Sequence, residues 1–466
     1  MRRWVFVLAL WVTCFPASVK SANADPAFSQ RMASAVDRLA SNEVRGGRTP
    51  GVAIGIVEDG RIVYARGFGK ANASKNVPVE PDTQFYVGDL TKQFTSAAVL
   101  MLAQDGKLKL DDKITKYVPE LSAIAANVTV GELLTQTSGL PDLTKVAPTP
   151  DLTRSVKSPD LLAALSASKP LAAPPAGYAD NPINYLLASI VVERASGEPL
   201  SDFLQQRIFF PLVMDRTFLA GDTGISPSHA IGYTHAPGGF AVARAWDPAW
   251  LRGDRGLVTT AYDLAKWDIE MPILLRVDAV RTMFEPNASA SPAKYGMGWI
   301  IDQRGGKRFV WYAGQIPGYQ AMNALLPESH AAVIVLMNVD SLHGGRVASP
   351  ATLAAQILDL IAPPSAARLD NAIVVRAQEW LKRLADKHID RTQLTPAFST
   401  YLTDDLVSRS DFAALGKLQT IVPISSTTEN NGDTLYEFLV RYPHARYHYK
   451  FALTPGGKID ELVLVD

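Results

Sequence analysis

Asp89 and Lys92 stand three residues apart in the stretch GDLTKQFTSAAVLML. The apolar positions Leu90, Phe94, Ala97, Ala98 and Met101 fall at the spacing of one helical face. Gly88 and Asp89 precede that pattern, and a short acceptor at this point suits the unpartnered N–H groups of a helix start. Residues three apart share a face of the first turn, so the carboxylate and the ammonium should meet. Two chemistries follow from such a pair. Carboxylates act as nucleophiles in some glycosidases and phosphate-transferring enzymes. Alternatively the pair is an ion pair, worth roughly 0.3–1 kcal/mol if exposed.

These two residues need a frame, and the chain supplies one. GVAIGIVEDGRIVYARGFGKA, Gly51 to Ala71, reads as two strands around the turn Asp59-Gly60. YQAMNALLPESHAAVIVLMN, Tyr319 to Asn338, reads as a second hairpin with its turn at Pro327-Glu328-Ser329. Helical patterns lie between them at Phe94–Gln104, Gly131–Thr135, Tyr185–Ala195 and Ala261–Met271, and another follows at Thr352–Ala362. One sheet built from both ends of a domain, with a helical region inserted, accounts for this order. The expected fold class is therefore α+β.

Pro363-Pro364 interrupts the pattern, and residues 363–368 read as a linker. Beyond it, 369–466 reads as a small α+β domain. Ile373, Ala377, Trp380, Leu381 and Leu384 form a helical stripe. Tyr436, Phe438, Val440 and Tyr442 alternate on one strand, and Tyr447, Tyr449, Phe451 and Leu453 on the next.

Composition is that of a chain with a sizeable core: 466 residues, 47% hydrophobic and 20% charged. Basic and acidic residues balance at 46 each, and no basic run points to nucleic acid. Residues 1–24 read as a secretory signal: Arg2-Arg3, an apolar core from Trp4 to Ala17, and the small-x-small site Ala22-Asn23-Ala24. Export to the periplasm or the medium is the expectation, with a main domain over 25–362. No later stretch is long and apolar enough to span a bilayer. The single cysteine, Cys14, lies within the signal, which excludes disulfides and thiolate chemistry from the mature chain. The seven histidines are scattered. His444 and His448 fall on adjacent strands, where solvent-facing side chains are commoner than metal ligands. Neither a metal nor a cofactor is expected.

Residues 49 to about 361 resemble the serine β-lactamase and penicillin-binding-protein family, in its class C β-lactamase and D-Ala-D-Ala carboxypeptidase branch. The resemblance rests on landmarks in sequence order: the opening hairpin, GDLTKQFTSAAVLML, DGKLKLDDKITKYVPEL, LLTQTSGLPDL, GLVTTAYDLAKW, YGMGW and GYQAMNALLP. The C-terminal segment resembles small α+β modules, some NTF2-like, appended to secreted members. The family's reaction is acyl transfer by a serine, with a lysine and a tyrosine moving its proton and backbone N–H groups holding the oxyanion.

By that resemblance Asp89 occupies the serine position and Lys92 the lysine position. The tyrosine motif should precede NYLLASIVVERASG; counting without gaps puts Asp180 at the tyrosine, whereas a two-residue shift offers Tyr178. The strand motif is Tyr312-Ala313-Gly314, with tyrosine where the family has lysine or histidine, and Gln315 follows it. Gln136 stands where many relatives carry histidine. The resemblance makes Tyr312, Gly314 and Gln315 a ligand-facing wall. A carboxylate attacking an amide would give a mixed anhydride, so the ion-pair reading of Asp89 and Lys92 is the stronger. Two functions remain open. One is a secreted family member without serine acyl transfer that binds a peptidoglycan-like peptide or small acyl ligand. The other is a hydrolase of an ester, amide or D-amino-acid peptide using altered chemistry around Asp89 and Lys92.

Overall fold

The computed structural model describes Phe28 and residues 30–142, 151–220, 229–287, 294–341, 348–362, 371–409, 412–428, 432–443 and 445–465. The expected signal segment, the linker and His444 lie outside the described residues.

Seven antiparallel strands form the central sheet: β1 (Gly51–Glu58), β2 (Arg61–Asn72), β3 (Val77–Pro78), β4 (Ile300–Arg304), β5 (Lys307–Ile316), β6 (Tyr319–Leu326) and β7 (Ala331–Met337). Their order is β3-β2-β1-β7-β6-β5-β4. Both expected hairpins are present, and β1 joins them by pairing with β7, with Ile54 opposite Val335. The sheet is thus made from the two ends of the domain, as the order of the patterns implied.

Strands β1 and β7 are apolar on both faces because both faces are covered. Val52, Ile54, Ile56, Val333 and Val335 pack on one side with Val36 and Ala40 of helix α1 (Gln30–Arg45) and with Leu353 and Ile357 of a later helix, α5 (Pro350–Ile361). Ala53, Val57, Ile334 and Leu336 share the other side with the inserted helices α2 (Thr91–Gln104), α3 (Pro182–Ser196) and α4 (Ala261–Leu274). The period-two alternation of each strand therefore sorts its residues between two cores. Helix α1 was not anticipated from the sequence pattern.

Helix α2 is buried from Thr91 through Leu102 on every side, not along a single face. Its start also differs from expectation. Asp89 makes no capping bond. A 3₁₀ turn, Gly88–Leu90, leads into the helix, and the Asp89 carboxylate turns away to other partners.

The C-terminal residues build their own core. Helix α6 (Asn371–Ala385) lays Ala377, Trp380, Leu381 and Leu384 on a four-stranded antiparallel sheet ordered β8 (Thr420–Thr428), β9 (Thr434–Arg441), β10 (Arg446–Leu453) and β11 (Ile459–Val465). Phe438 pairs with Tyr449 and Tyr436 with Phe451, so the aromatic stripes meet in register. Two short helices, Pro396–Tyr401 and Asp404–Arg409, complete this part and were not foreseen.

Candidate active site

Four separate segments converge on Lys92: the turn before α2, the segment leading into α3, the turn before α4 and strand β5. Close approach is enforced at two glycines. A Cβ on Gly314 would lie 2.0 Å from the Val87 carbonyl, and one on Gly88, whose φ is +54°, would lie 2.7 Å from the Gln315 nitrogen. Strand β5 can therefore lie directly against the Gly88–Leu90 turn only with glycine at both places.

Lys92 is fully buried, and its Nζ is 2.7 Å from Asp89 Oδ1, 2.9 Å from Asp180 Oδ1 and 3.5 Å from Asp254 Oδ1. Arg255 faces the same cluster, with Nη2 2.9 Å from Asp89 Oδ1 and Nη1 2.8 Å from Asp254 Oδ2. The second Asp89 oxygen, Oδ2, accepts from the backbone N–H of Gln315 at 3.1 Å. Both oxygens of Asp89 are thus engaged by three donors.

Burial pushes the Asp89 carboxyl up, but Lys92 and Arg255, with the bonds from Lys92 and Gln315, more than offset this and hold it at about 2. Burial lowers Lys92, yet Asp254, Asp89 and Asp180 together raise it well above the ordinary lysine value. Asp254 goes the other way: burial dominates over Arg255 and Lys92 and lifts it to about 6. At neutral pH the lysine is an ammonium and Asp89 a carboxylate. Neither is a free base or a proton donor of ordinary strength.

Of the two residues left open before α3, Asp180 is the one that bonds to Lys92. Tyr178 lies close by, its ring 5.1 Å from that of Tyr295, and burial and the charge of Asp180 lift its hydroxyl to about 12. Tyr312 is buried, with Lys92 Nζ 5.5 Å from its ring centre; Tyr185 receives the same ammonium at 5.8 Å. Gln315 contributes its backbone N–H, and its side-chain Oε1 accepts from Ser341. Ser96 is buried and bonds to the Tyr185 hydroxyl at 3.0 Å, away from the cluster of charges.

Gln136 has a larger part than its sequence position suggested. Its φ is +59°, an unfavourable region for a side-chain-bearing residue. The amide repays that conformation: Nε2 donates to Asp180 Oδ1 at 2.9 Å, while Oε1 accepts from Asn181 N at 3.2 Å and Asn184 Nδ2 at 2.5 Å. It orients Asp180 toward Lys92.

The sequence reading passed over Asp254 and Arg255. They form a charged pair between Gly253 and Gly256, immediately before the buried strand Leu257–Thr259. Charges bracketed by glycines at the entry to a buried strand were the available signal. A Cβ on Gly253 would come within 2.8 Å of Thr95 and Ser189, so this turn is pressed onto α2 and α3. Three carboxylates surround one ammonium here, and among the described residues no group of three or more His, Cys, Asp or Glu is placed to hold a metal.

Residues 29–357 match the Beta-lactamase family model. The chain belongs to the β-lactamase family. Among curated relatives, Protein flp of Staphylococcus aureus is 24% identical over 321 residues, which is 66% of this chain and 63% of that protein. A D-aminopeptidase of Gluconobacter oxydans is 27% identical over 343 residues, 71% of this chain and 62% of that one. The chain thus spans less than two thirds of the length of these relatives. Its fold is similar to that of a D-amino acid amidase from Ochrobactrum anthropi, with a TM-score of 0.64, 23% identity, and coverage of 71% of this chain and 99% of the amidase. It is also similar to an octameric penicillin-binding protein homologue from Pyrococcus abyssi, with a TM-score of 0.63, 20% identity, and coverage of 91% and 96%. The β-lactamase-family fold with its mixed helices and antiparallel sheets agrees with the expectation from sequence.

Proposed function

We propose that this β-lactamase-family protein does not carry out serine acyl transfer and instead binds a small amide or peptide ligand at the open edge of the charge cluster, beside Asp180 and Tyr178. One observation carries the reading: the position of the attacking group holds an ionised carboxylate whose two oxygens are fixed by Lys92, Arg255 and the Gln315 N–H. A nucleophile needs a free lone pair aimed at a carbonyl carbon, and a base to take its proton. Asp89 offers neither, and Lys92 is kept protonated by three aspartates.

The amide or peptide class of ligand is supported by two relatives, a D-aminopeptidase and a D-amino acid amidase, whose names describe action on such compounds. Asp180 is the most open member of the charge cluster, with 42% of its side chain exposed, and it borders the partly exposed Tyr178. The test is calorimetric titration with D-phenylalanine amide and a D-Ala-D-Ala peptide, run beside chromatographic product analysis. Saturable binding with unchanged ligand is the expected result. Turnover that disappears in Asp89→Asn would replace this reading with hydrolysis through the Asp89 carboxylate.

A further inference from the structure

Away from the charge cluster, α4 and β6 share a second buried acidic group. Asp268 is at least nine-tenths buried, and its Oδ1 accepts from Asn323 Nδ2 at 2.8 Å. Its Oδ2 and the Asn323 Oδ1 are both buried and make no hydrogen bond. Two acceptors are left over, one on each planar group, and one proton would serve both. A carboxylic acid and a primary amide are complementary in this way: each has one donor and one acceptor on the same trigonal carbon.

Among the described residues no counter-charge acts on Asp268: burial and the bond from Asn323 are the only influences on it. The sheet face toward α4 includes Ala53, Val57, Ile334 and Leu336, none of which titrates. On α4 itself, Asp263 and Lys266 pair with each other at 3.1 Å. Tyr312 lies directly across from Asn323 on the neighbouring strand, and burial keeps its hydroxyl protonated. Burial drives the Asp268 carboxyl well up, with only the bond from Asn323 opposing it.

We propose that Asp268 is an uncharged carboxylic acid at neutral pH that donates to Asn323, forming a proton-dependent tie between α4 and strand β6. An ionised Asp268 would leave a buried charge without a cation, a costly state. Because Asn323 faces across to Tyr312, and α4 follows the turn that carries Asp254 and Arg255, the tie fixes two walls of the site relative to each other. Losing the proton at high pH removes the donor and loosens that connection.

Two measurements on the full chain test this. Infrared difference spectra of the protein against Asp268→Asn at neutral pH should show the carbonyl stretch of a protonated acid in the parent only. An ionised carboxylate band assigned to Asp268 would overturn the proposal. Urea unfolding of both proteins supplies the second readout. Asparagine keeps a donor and an acceptor, so the variant copies the protonated form. The ratio of folding constants, variant over parent, should rise about tenfold per pH unit above about pH 4, levelling off at the folded-state pKa of Asp268. A ratio independent of pH would show that Asp268 is ionised in the native state. If the variant fails to fold, the same infrared comparison against Asn323→Leu decides: an acid band present in the parent and moved to higher frequency by loss of the amide supports the proposal, and an acid band present in the variant alone overturns it.

Discussion

Asp89 Oδ2 lies 3.1 Å from the backbone nitrogen of Gln315, so a side chain of the helix entry fills the hydrogen-bonding position on strand β5. In an acyl-transfer site of this family such a backbone N–H is what the resemblance assigns to the developing oxyanion. Here a resident carboxylate takes it. The same carboxylate holds Lys92 and Arg255, so one residue engages the strand N–H, the lysine and the arginine together.

Penicillins and serine-directed phosphonates should therefore leave no covalent adduct. The buried hydroxyls nearest on α2 are committed elsewhere: Thr91 to the Gly88 carbonyl and Ser96 to Tyr185. Intact-mass spectrometry after prolonged exposure is the check, and a stoichiometric adduct would point to a nucleophile outside the Asp89 cluster.

Arg255→Met should destabilise the protein by about 3 kcal/mol, in the range for removing one partner of a buried ion pair. Asp89 and Asp254 would then share Lys92 alone, and Asp254 Oδ2 would lose its 2.8 Å contact. Urea denaturation with a matched m-value measures it. A change below about 0.5 kcal/mol would mean that the guanidinium behaves as a surface group.

The pH response should carry two opposite signs. Asp89 is held at about 2, below its unfolded value, so its contribution is full above about pH 4 and fades as pH falls toward 2. Asp89→Asn should accordingly be less stable than the parent at neutral pH, with the gap closing in acid. Asp254 is lifted to about 6, so it favours the fold most at low pH and loses that effect as pH rises through 6. Asp254→Asn should gain on the parent between about pH 4 and pH 7. Melting temperatures of the three proteins from about pH 2 to pH 7 would reveal parallel curves if neither aspartate is linked to folding.

Most of the frame was legible because it rests on periodicity. The Asp59-Gly60 turn, the all-apolar strand Ala331–Met337 and the stripe from Ala377 to Leu384 each state their environment locally. The pairing of Asp89 with Lys92 was legible for the same reason, since helical spacing alone brings them together. Asp254 and Arg255 were not, because the meeting of Asp254 with Lys92 and of Arg255 with Asp89 spans more than 160 positions and depends on how the turn before α4 is pressed onto α2. Helix α1 did carry a local signal that the reading passed over: Ala33, Val36 and Ala40 are buried and Met32, Leu39 and Val44 pack beside them, at helical spacing along one face.

The C-terminal part offers a test of separability. Its core, from Ala377 to Ile459, forms a cluster of its own around Trp380, Phe438 and Tyr449. A fragment covering 369–466 should fold alone and give dispersed amide resonances. A collapsed spectrum would argue that it needs the family domain to order it.

Asp89 can be exchanged for the serine that the resemblance expects, and the outcome depends on residues that sequence reading did not connect to it. Asp89→Ser restores a hydroxyl three residues before Lys92. The serine would still lack a base, because Asp180 and Asp254 remain beside Lys92 and hold it as an ammonium. It would face Tyr312 where the resemblance calls for lysine or histidine, and Asp180 where it calls for the tyrosine. Groups that act as a unit lose most of their effect when one is missing, so repairing one of several recovers little. Hydrolysis of a chromogenic cephalosporin and of D-phenylalanine amide should stay at background. Stability should fall, since Arg255 Nη2 and the Gln315 N–H both lose the carboxylate that now receives them. Removing the aspartates that hold the proton is then the informative second step: Asp89→Ser combined with Asp180→Asn and Asp254→Asn should lower the lysine pKa and allow slow acylation, visible by mass spectrometry. Robust turnover by Asp89→Ser alone would mean that Lys92 gives up its proton despite its neighbours, and that the cluster described here is rearranged once the carboxylate is gone.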